Sequence, residues 1–331
     1  MLTISRCVHV YAIVLVASYE PESQITKSIE CLKGLKYNNF KLEICYVIDT
    51  SPGDKRKLHW ELPDNFNVIL RDHNRGRRAG AINDVLKEIK NADYVALFDV
   101  DNRPTDDYIV KCVAALEENN TAIFSGGCRF VNNKSNILTK VISIEYSFLC
   151  DMYHRLSRLD SFFTFQGAGV VKGSFLEDEK FDEETLMEDF DLVNRMYLKG
   201  KVAVLAKTTL GEQAPTTLKD LYHQRVRWYR GNVESFVKYF IPMFKAPIPF
   251  SRKISWFTQV TLSYCAFLLT PFVISYLGKI KNLSDGPLEF VKIFLGGIGY
   301  TWLMTIIGIV AVIKHLTSSK SEWKSSIRSD V

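Results

Sequence analysis

The alternation of apolar and polar positions divides the chain into two unlike parts. From residue 10 onward, short β-branched apolar runs alternate with stretches whose apolar residues recur at helical spacing. The pattern predicts strands at 10–17, 42–48, Asn67–Arg71 and Tyr94–Phe98. Helices are predicted at Glu22–Lys33, Ala79–Lys90 and Asp106–Glu118, with Pro104 just before the last one. A basic loop punctuated by Pro and Gly covers 50–64. Repeated strand–helix units imply the α/β class with a doubly wound, mostly parallel sheet. Such sheets bind ligands at the carboxyl ends of their strands, so Ser18, Glu20, Asp49 and Asp99–Asp101 stand where chemistry is expected.

The C-terminal part reads differently. Trp256–Leu277 and Ile293–Ile313 contain no charged residue. Each is long enough to cross a hydrocarbon core of about 30 Å. Lys279 and Lys281 lie between them, and Lys314, Lys320, Lys324 and Arg328 follow. Two transmembrane helices would put both flanks on one side, expected to be the cytoplasm because no export signal precedes the large N-terminal region. The run Val8–Ala17 behind Arg6 could be taken for a signal peptide. Its β-branched continuity fits a buried parallel strand better. Asn232–Phe244 is apolar with few charges and suits an interfacial helix. The expected organisation is a domain over 1–230, an interfacial helix and linker over 231–252, a two-helix anchor over 253–315, and a basic tail over 316–331.

Composition sharpens this picture. The 331 residues are 47% hydrophobic and 24% charged, with a net charge of +5, which excludes a disordered chain. The mean hydropathy of −0.02 excludes a protein made mostly of membrane spans. Seven cysteines show no zinc-site or redox spacing, and the six histidines are scattered, so neither type suggests a metal centre. Asp99-Val100-Asp101 is another matter, because it follows the apolar strand Tyr94–Phe98. Two carboxylates one residue apart at a strand end can share a hard divalent cation, magnesium or manganese, with diphosphate oxygens completing the shell. A turn capping the next helix would use the same residue types.

Further motifs accompany the triplet in order: Ala17–Glu22 (ASYEPE), Val47–Gly53 (VIDTSPG), Arg77–Asn83 (RRAGAIN), Leu186–Gly200 (LMEDFDLVNRMYLKG) and Gly211–Gly231 (GEQAPTTLKDLYHQRVRWYRG). With them, residues 10–245 resemble glycosyltransferase family 2, in the membrane-bound branch that includes cellulose, chitin and hyaluronan synthases and ceramide glucosyltransferase. Met187 stands where that family usually has Thr, and Arg78 where it has Lys; the arginine keeps a permanent cation. The resemblance implies the GT-A fold and an inverting transferase that uses a nucleotide-diphosphate sugar, expected to be UDP-linked. Two spans and an interfacial helix favour a membrane lipid or lipid-linked glycan as acceptor. A processive polysaccharide synthase is the alternative.

The resemblance also implies residue roles. Asp99 and Asp101 would hold the cation, with Asp99 near the ribose. Asp49 would accept a hydrogen bond from the base, and Ser18 and Glu20 would belong to the nucleotide site. Arg78 and Asn83, early in a helix, would face phosphate. Asp189 would be the general base. Glu188 instead completes a capping-box pattern with Thr185, and Asp191 reads as first-turn charge. Gln224, Arg227 and Trp228 fall on one helix face. There they would close over the diphosphate and line the acceptor site, while His223, Arg225 and Arg230 suit a membrane-facing basic side. Gln166–Gly169 reads equally as a sugar-lining turn or as a plain glycine turn. The arginines at 71–78 and 223–230 would also suit a nucleic acid, but the motif array argues against such a partner.

Overall fold

The computed structural model describes residues 8–17, 20–37, 40–50, 62–89, 91–163 and 167–317. Ser18, Gln166 and most of the basic tail lie outside the described residues. The chain divides into two compact units. One takes the chain as far as Cys128 and resumes after residue 163 to Gly211; the other holds Arg129–Phe163 and everything from Glu212. The division does not fall at residue 230.

The first unit is built as its apolar pattern requires. Strand β1 (Val8–Val16) is followed by helix α1 (Glu22–Lys33), β2 (Phe40–Asp49), β3 (Phe66–Arg71), α2 (Arg77–Glu88) and β4 (Tyr94–Asp99). The two-residue β5 (Arg103–Pro104) precedes α3 (Tyr108–Glu117) and β6 (Ala122–Val131). After the excursion into the second unit come β7 (Gly169–Lys172), α5 (Gly173–Asp178), α6 (Glu188–Leu198) and β8 (Val202–Glu212). The strand order is β3-β2-β1-β4-β7-β6-β8-β5. β1 pairs in parallel with β2 and β4, and β2 in parallel with β3. β7 runs antiparallel to both β4 and β6, and β5 antiparallel to β8.

β1 therefore lies inside the sheet and is not a leader. Val10, Ala12, Ile13 and Val14 are wholly buried, because both faces of a parallel strand are covered. α1 has the predicted bounds and turns Ile25, Ile29 and Leu32 inward at helical spacing. Pro104 is not in a helix first turn: it pairs with Leu210 across β5 and β8, and α3 starts four residues later.

α2 begins two residues before its predicted start. Gly76, at φ +64°, turns the chain into it. Gly80 then sits against the carbonyl of Arg75, where a Cβ would lie 2.0 Å from the oxygen. That contact explains the glycine of the Arg77–Asn83 motif by packing alone.

The second unit is helical: α4 (Ile137–Arg158), α7 (Leu218–Lys245), α8 (Phe250–Thr261), a 3-10 segment (Leu262–Tyr276), α9 (Leu277–Leu283) and α10 (Pro287–Thr317). Val141, Ile142, Tyr229, Ile293, Tyr300, Met304 and Ile307 form its core. α7 runs unbroken through residue 230, so the motif at 224–228 and the expected interfacial stretch are one helix. The first apolar stretch is not a uniform α-helix. It tightens to 3-10 geometry over Leu262–Tyr276, with Cys265 outside helical φ/ψ and Pro271 within the segment. Phe250–Leu283 and Pro287–Thr317 are each long and apolar enough to cross a membrane.

Gly80→Ala should lower the unfolding free energy by about 1–3 kcal/mol through overpacking, with no polar group removed. Denaturant unfolding followed by circular dichroism measures it.

Candidate active site

The parallel strands end side by side and bring their last residues together. β2 ends at Asp49 and β3 at Arg71, which are partners in register. Arg71 donates to Asp49 Oδ1 at 2.6 Å, to Asp84 Oδ2 at 3.1 Å and to the Arg75 carbonyl at 2.7 Å. Burial pushes the Asp49 carboxyl above its ordinary range, and the Arg71 charge only partly offsets that. The sequence marks Arg71 only as a strand end within the basic run at 71–78 and not as a site residue. Glu20, following β1, is buried.

β4 ends at Asp99, and the acidic triplet forms a tied turn. Asn102 accepts from the Asp99 N–H through Oδ1 at 2.9 Å and donates its own N–H to the Asp99 carbonyl at 2.9 Å. Arg103 donates to the Val100 carbonyl at 2.7 Å. Asp101 is buried, whereas the Asp99 side chain keeps 35% of its surface exposed. These two carboxylates are hard donors of the kind magnesium or manganese prefers. They are fewer than such an ion takes, which leaves positions for phosphate or water.

Arg78 links these parts. Its Nε donates to Asp99 Oδ1 at 3.0 Å, its Nη1 to Glu188 Oε1 at 2.7 Å, and its Nη2 to the Gly167 carbonyl. Burial works against its charge, but Asp99, Glu188 and Asp189 outweigh it and hold the guanidinium more firmly protonated than usual. Glu188 therefore does not close a capping box. Met187 is the N-cap of α6, no side-chain cap bond forms, and the Glu188 carboxylate is spent on Arg78. Asp191 is a first-turn charge of α6 as expected, and it is buried and pairs with Arg195 at 2.9 Å.

Asp189 lies in the first turn of α6, and its Oδ1 accepts from the Phe190 N–H at 2.8 Å. It lines a small, mostly apolar cavity with Leu97, Phe124, Gly167, Phe181 and Leu192. Gly167 has φ +91°, and a Cβ there would approach Asp189 Oδ2 to 3.5 Å. Asn83 lies behind this group. Its amide donates to the Phe181 carbonyl at 2.8 Å and Glu183 at 3.1 Å and accepts from the Phe181 N–H at 3.0 Å, so it braces the approach to α6.

In the second unit, Thr217 caps α7, accepting from the Asp220 N–H at 3.1 Å. Gln224, Arg227 and Trp228 lie within that helix. Arg227 is half-buried and has no hydrogen bond or ion pair among the described residues. Gln224 Oε1 is buried without a hydrogen-bond partner. Trp228 is half-buried, and the Arg225 guanidinium covers its ring at 4.3 Å. Arg225 is not a membrane-facing cation. It is buried, donating to Glu145 Oε2 at 2.6 Å and to the Tyr300 hydroxyl at 3.2 Å. Its partner lies 80 residues away in sequence, so only folding could disclose the pairing.

Residues 94–313 match the model of the family described as glycosyl transferase family group 2. The chain belongs to that family. Among relatives, it is 29% identical to probable glucomannan 4-beta-mannosyltransferase 11 of Oryza sativa subsp. japonica over 62% of this chain and 36% of that protein. It is 25% identical to the beta-monoglucosyldiacylglycerol synthase of Trichormus variabilis over 92% of this chain and 64% of that one. The chain thus spans about a third to two thirds of the length of these relatives. Its fold is similar to that of the mannosyltransferase PcManGT from Pyrobaculum calidifontis, solved in complex with GDP-Man and Mn2+. That likeness has a TM-score of 0.66 at 18% identity and covers 96% of this chain and 89% of that one. The GT-A architecture expected from the motifs is thereby the observed one.

Arg71→Met leaves Asp49 and Asp84 without their buried cation and should cost about 3–5 kcal/mol of stability. Thermal and urea unfolding against the wild type checks this.

Proposed function

We propose that this chain is an inverting glycosyltransferase, moving a hexose from a nucleotide-diphosphate sugar to a lipid or lipid-linked glycan at a membrane. The observation that carries it is the convergence of Asp99, Glu188 and the Gly167 carbonyl on Arg78, beside Asp189. This cluster forms at the carboxyl ends of the parallel strands, where open α/β sheets bind ligands. Membership of a glycosyl transferase family supports the reaction class.

Three carboxylates around one guanidinium leave a surplus of negative charge, which suits a divalent cation at Asp99 and Asp101. Such an ion would act as a Lewis acid on the departing diphosphate. The solved mannosyltransferase of similar fold holds Mn2+ and GDP-Man, which supports both groups here. Asp49 would accept an N–H from the base. Uracil and guanine each present one, so either nucleotide fits that contact.

Asp189 takes the proton of the acceptor hydroxyl. The hydroxyl oxygen forms its bond to the anomeric carbon as the carbon–diphosphate oxygen bond breaks, and the nucleoside diphosphate leaves with the electron pair. With Oδ1 accepting from the Phe190 N–H, Oδ2 would be the atom that takes the proton. Among the described residues Gln224 Oε1 and the Arg227 guanidinium on α7 have no partner, consistent with the anionic and sugar contacts the motif implies. Arg71, Arg75 and Arg78 are already paired with carboxylates, which disfavours a nucleic-acid role.

The match to a glycolipid synthase over 92% of the chain favours a lipid acceptor. The likeness to glucomannan mannosyltransferases keeps polymer synthesis as the second reading. Product length on a lipid acceptor separates them: one added sugar supports the first, a ladder the second.

Asp189→Asn should abolish transfer while nucleotide-sugar binding persists; equal loss of both would make Asp189 structural. Asp101→Ala should remove the dependence of donor binding on Mn2+ or Mg2+, read by titration calorimetry with a donor panel. Unchanged metal dependence would count against the site.

A further inference from the structure

Trp228 is the flat apolar group of the α7 motif, and its placement does not depend on the indole alone. A tryptophan side chain turns about its χ angles, so a ring that receives another group has to be held by its neighbours. Arg225 lies one helical turn earlier on the same face of α7, at i and i+3. Its guanidinium carbon is 4.3 Å from the centre of the Trp228 ring. That is a cation–π contact, in which the negative face of the ring draws the cation.

Arg225 is itself fixed from two other helices. Its Nη2 donates to Glu145 Oε2 of α4 at 2.6 Å and to the Tyr300 hydroxyl of α10 at 3.2 Å. The Tyr300 hydroxyl also donates to Glu145 Oε2, at 2.8 Å, which closes a triangle of polar groups. Only 3% of the Arg225 side chain is exposed. Burial works against its charge, but Glu145, foremost among its neighbours, outweighs it and keeps the guanidinium more firmly protonated than usual. The buried Nε has no hydrogen-bond partner among the described residues. The guanidinium therefore sits where Glu145 and the Trp228 ring put it, not where its own donors would all be satisfied.

Such a charge is a poor device for stability alone. A buried ion pair adds little net stability, and apolar side chains of similar volume often replace one without loss. An apolar side chain does not supply a planar cation lying over an aromatic face. The backbone of the same turn is held as well. The Tyr264 hydroxyl, from the 3-10 segment, donates to the Tyr229 carbonyl at 2.7 Å. Tyr264 is wedged in turn by α10, where a Cβ on Gly308 would lie 3.0 Å from its ring.

We propose that Arg225 is a positioning residue: held by Glu145 and Tyr300, it fixes the Trp228 ring in the orientation that receives the acceptor. The proposal rests on the reading of Trp228 as part of the acceptor site. It adds that acceptor affinity is set through α4 and α10, by groups buried away from the acceptor. An orientation fixed before the acceptor arrives lowers the cost of binding it, so its loss shows in the KM for the acceptor and not in the KM for the donor.

The full chain in detergent micelles is compared with three variants. Arg225→Lys keeps a cation for Glu145 but loses the planar face. Tyr300→Phe removes one hydroxyl. Glu145→Met together with Arg225→Met removes both charges at once, so that no buried ion is left alone. Trp228 emission is read in each background as the difference from the same protein carrying Trp228→Phe. Acrylamide should quench that emission more steeply in the double variant and in Arg225→Lys than in the wild type, with Tyr300→Phe between. The KM for the acceptor, with diacylglycerol and monoglucosyldiacylglycerol as probes, should rise about tenfold in the first two, as loss of a desolvated cation–π contact implies, while the KM for the nucleotide sugar is unchanged. Unchanged quenching in variants that unfold like the wild type would overturn the proposal, as would steeper quenching with an unchanged acceptor KM. A merely structural pair predicts normal transfer by the double variant. Trp228→Ala separates the two ways of failing. If it leaves the acceptor KM unchanged, the acceptor-site reading falls and the proposal with it; if it raises that KM while the Arg225 variants do not, only the positioning role falls.

Discussion

A permanently charged guanidinium surrounded by carboxylates organises the first unit. Arg78 joins α2, the end of β4, the Gly167 turn and the start of α6, which lie up to 110 residues apart in sequence. Removed from water, each carboxylate would repel the others and each would tend to protonate. Arg78 sets one permanent cation among Asp99, Glu188 and Asp189 and offsets their mutual repulsion. An arginine suits this position because its planar fork reaches two carboxylates and a carbonyl at once, where a lysine would act as a point charge. In a separate cluster, Arg71 pairs with both Asp49 and Asp84.

The second unit uses a related device for a different end. Glu145, Arg225 and Tyr300 come from α4, α7 and α10 and meet inside an otherwise apolar core. A buried pair of this kind adds little net stability, but it penalises any register that would separate the partners. It fixes α7, the helix of Gln224, Arg227 and Trp228, against the apolar helix beside it.

Much of the fold was legible in the sequence because the information is local. The buried strands are continuous β-branched runs, and α1 carries its apolar residues at helical spacing between Pro21 and Gly34. Charged residues such as Asp49, Asp99 and Asp189 stood out because strand ends and ordered motifs mark them. The antiparallel placement of β7 was not legible, since β pairing depends on residues distant in the chain. Thr185 and Glu188 satisfy a capping pattern, yet a cation from another helix competes successfully for the glutamate. Arg225 looked like any cation on an amphipathic helix until its partner, 80 residues away, was brought beside it.

The sequence alone determined the α/β class, the family and the identity of the titratable groups, because periodicity and motif order are properties of neighbouring residues. It also determined that two long stretches must avoid water. Only the tertiary structure decided which charges neutralise one another, and which side of each apolar helix is left uncovered. Those outcomes rest on distances between groups far apart in sequence, and electrostatic and packing energies follow distance in space.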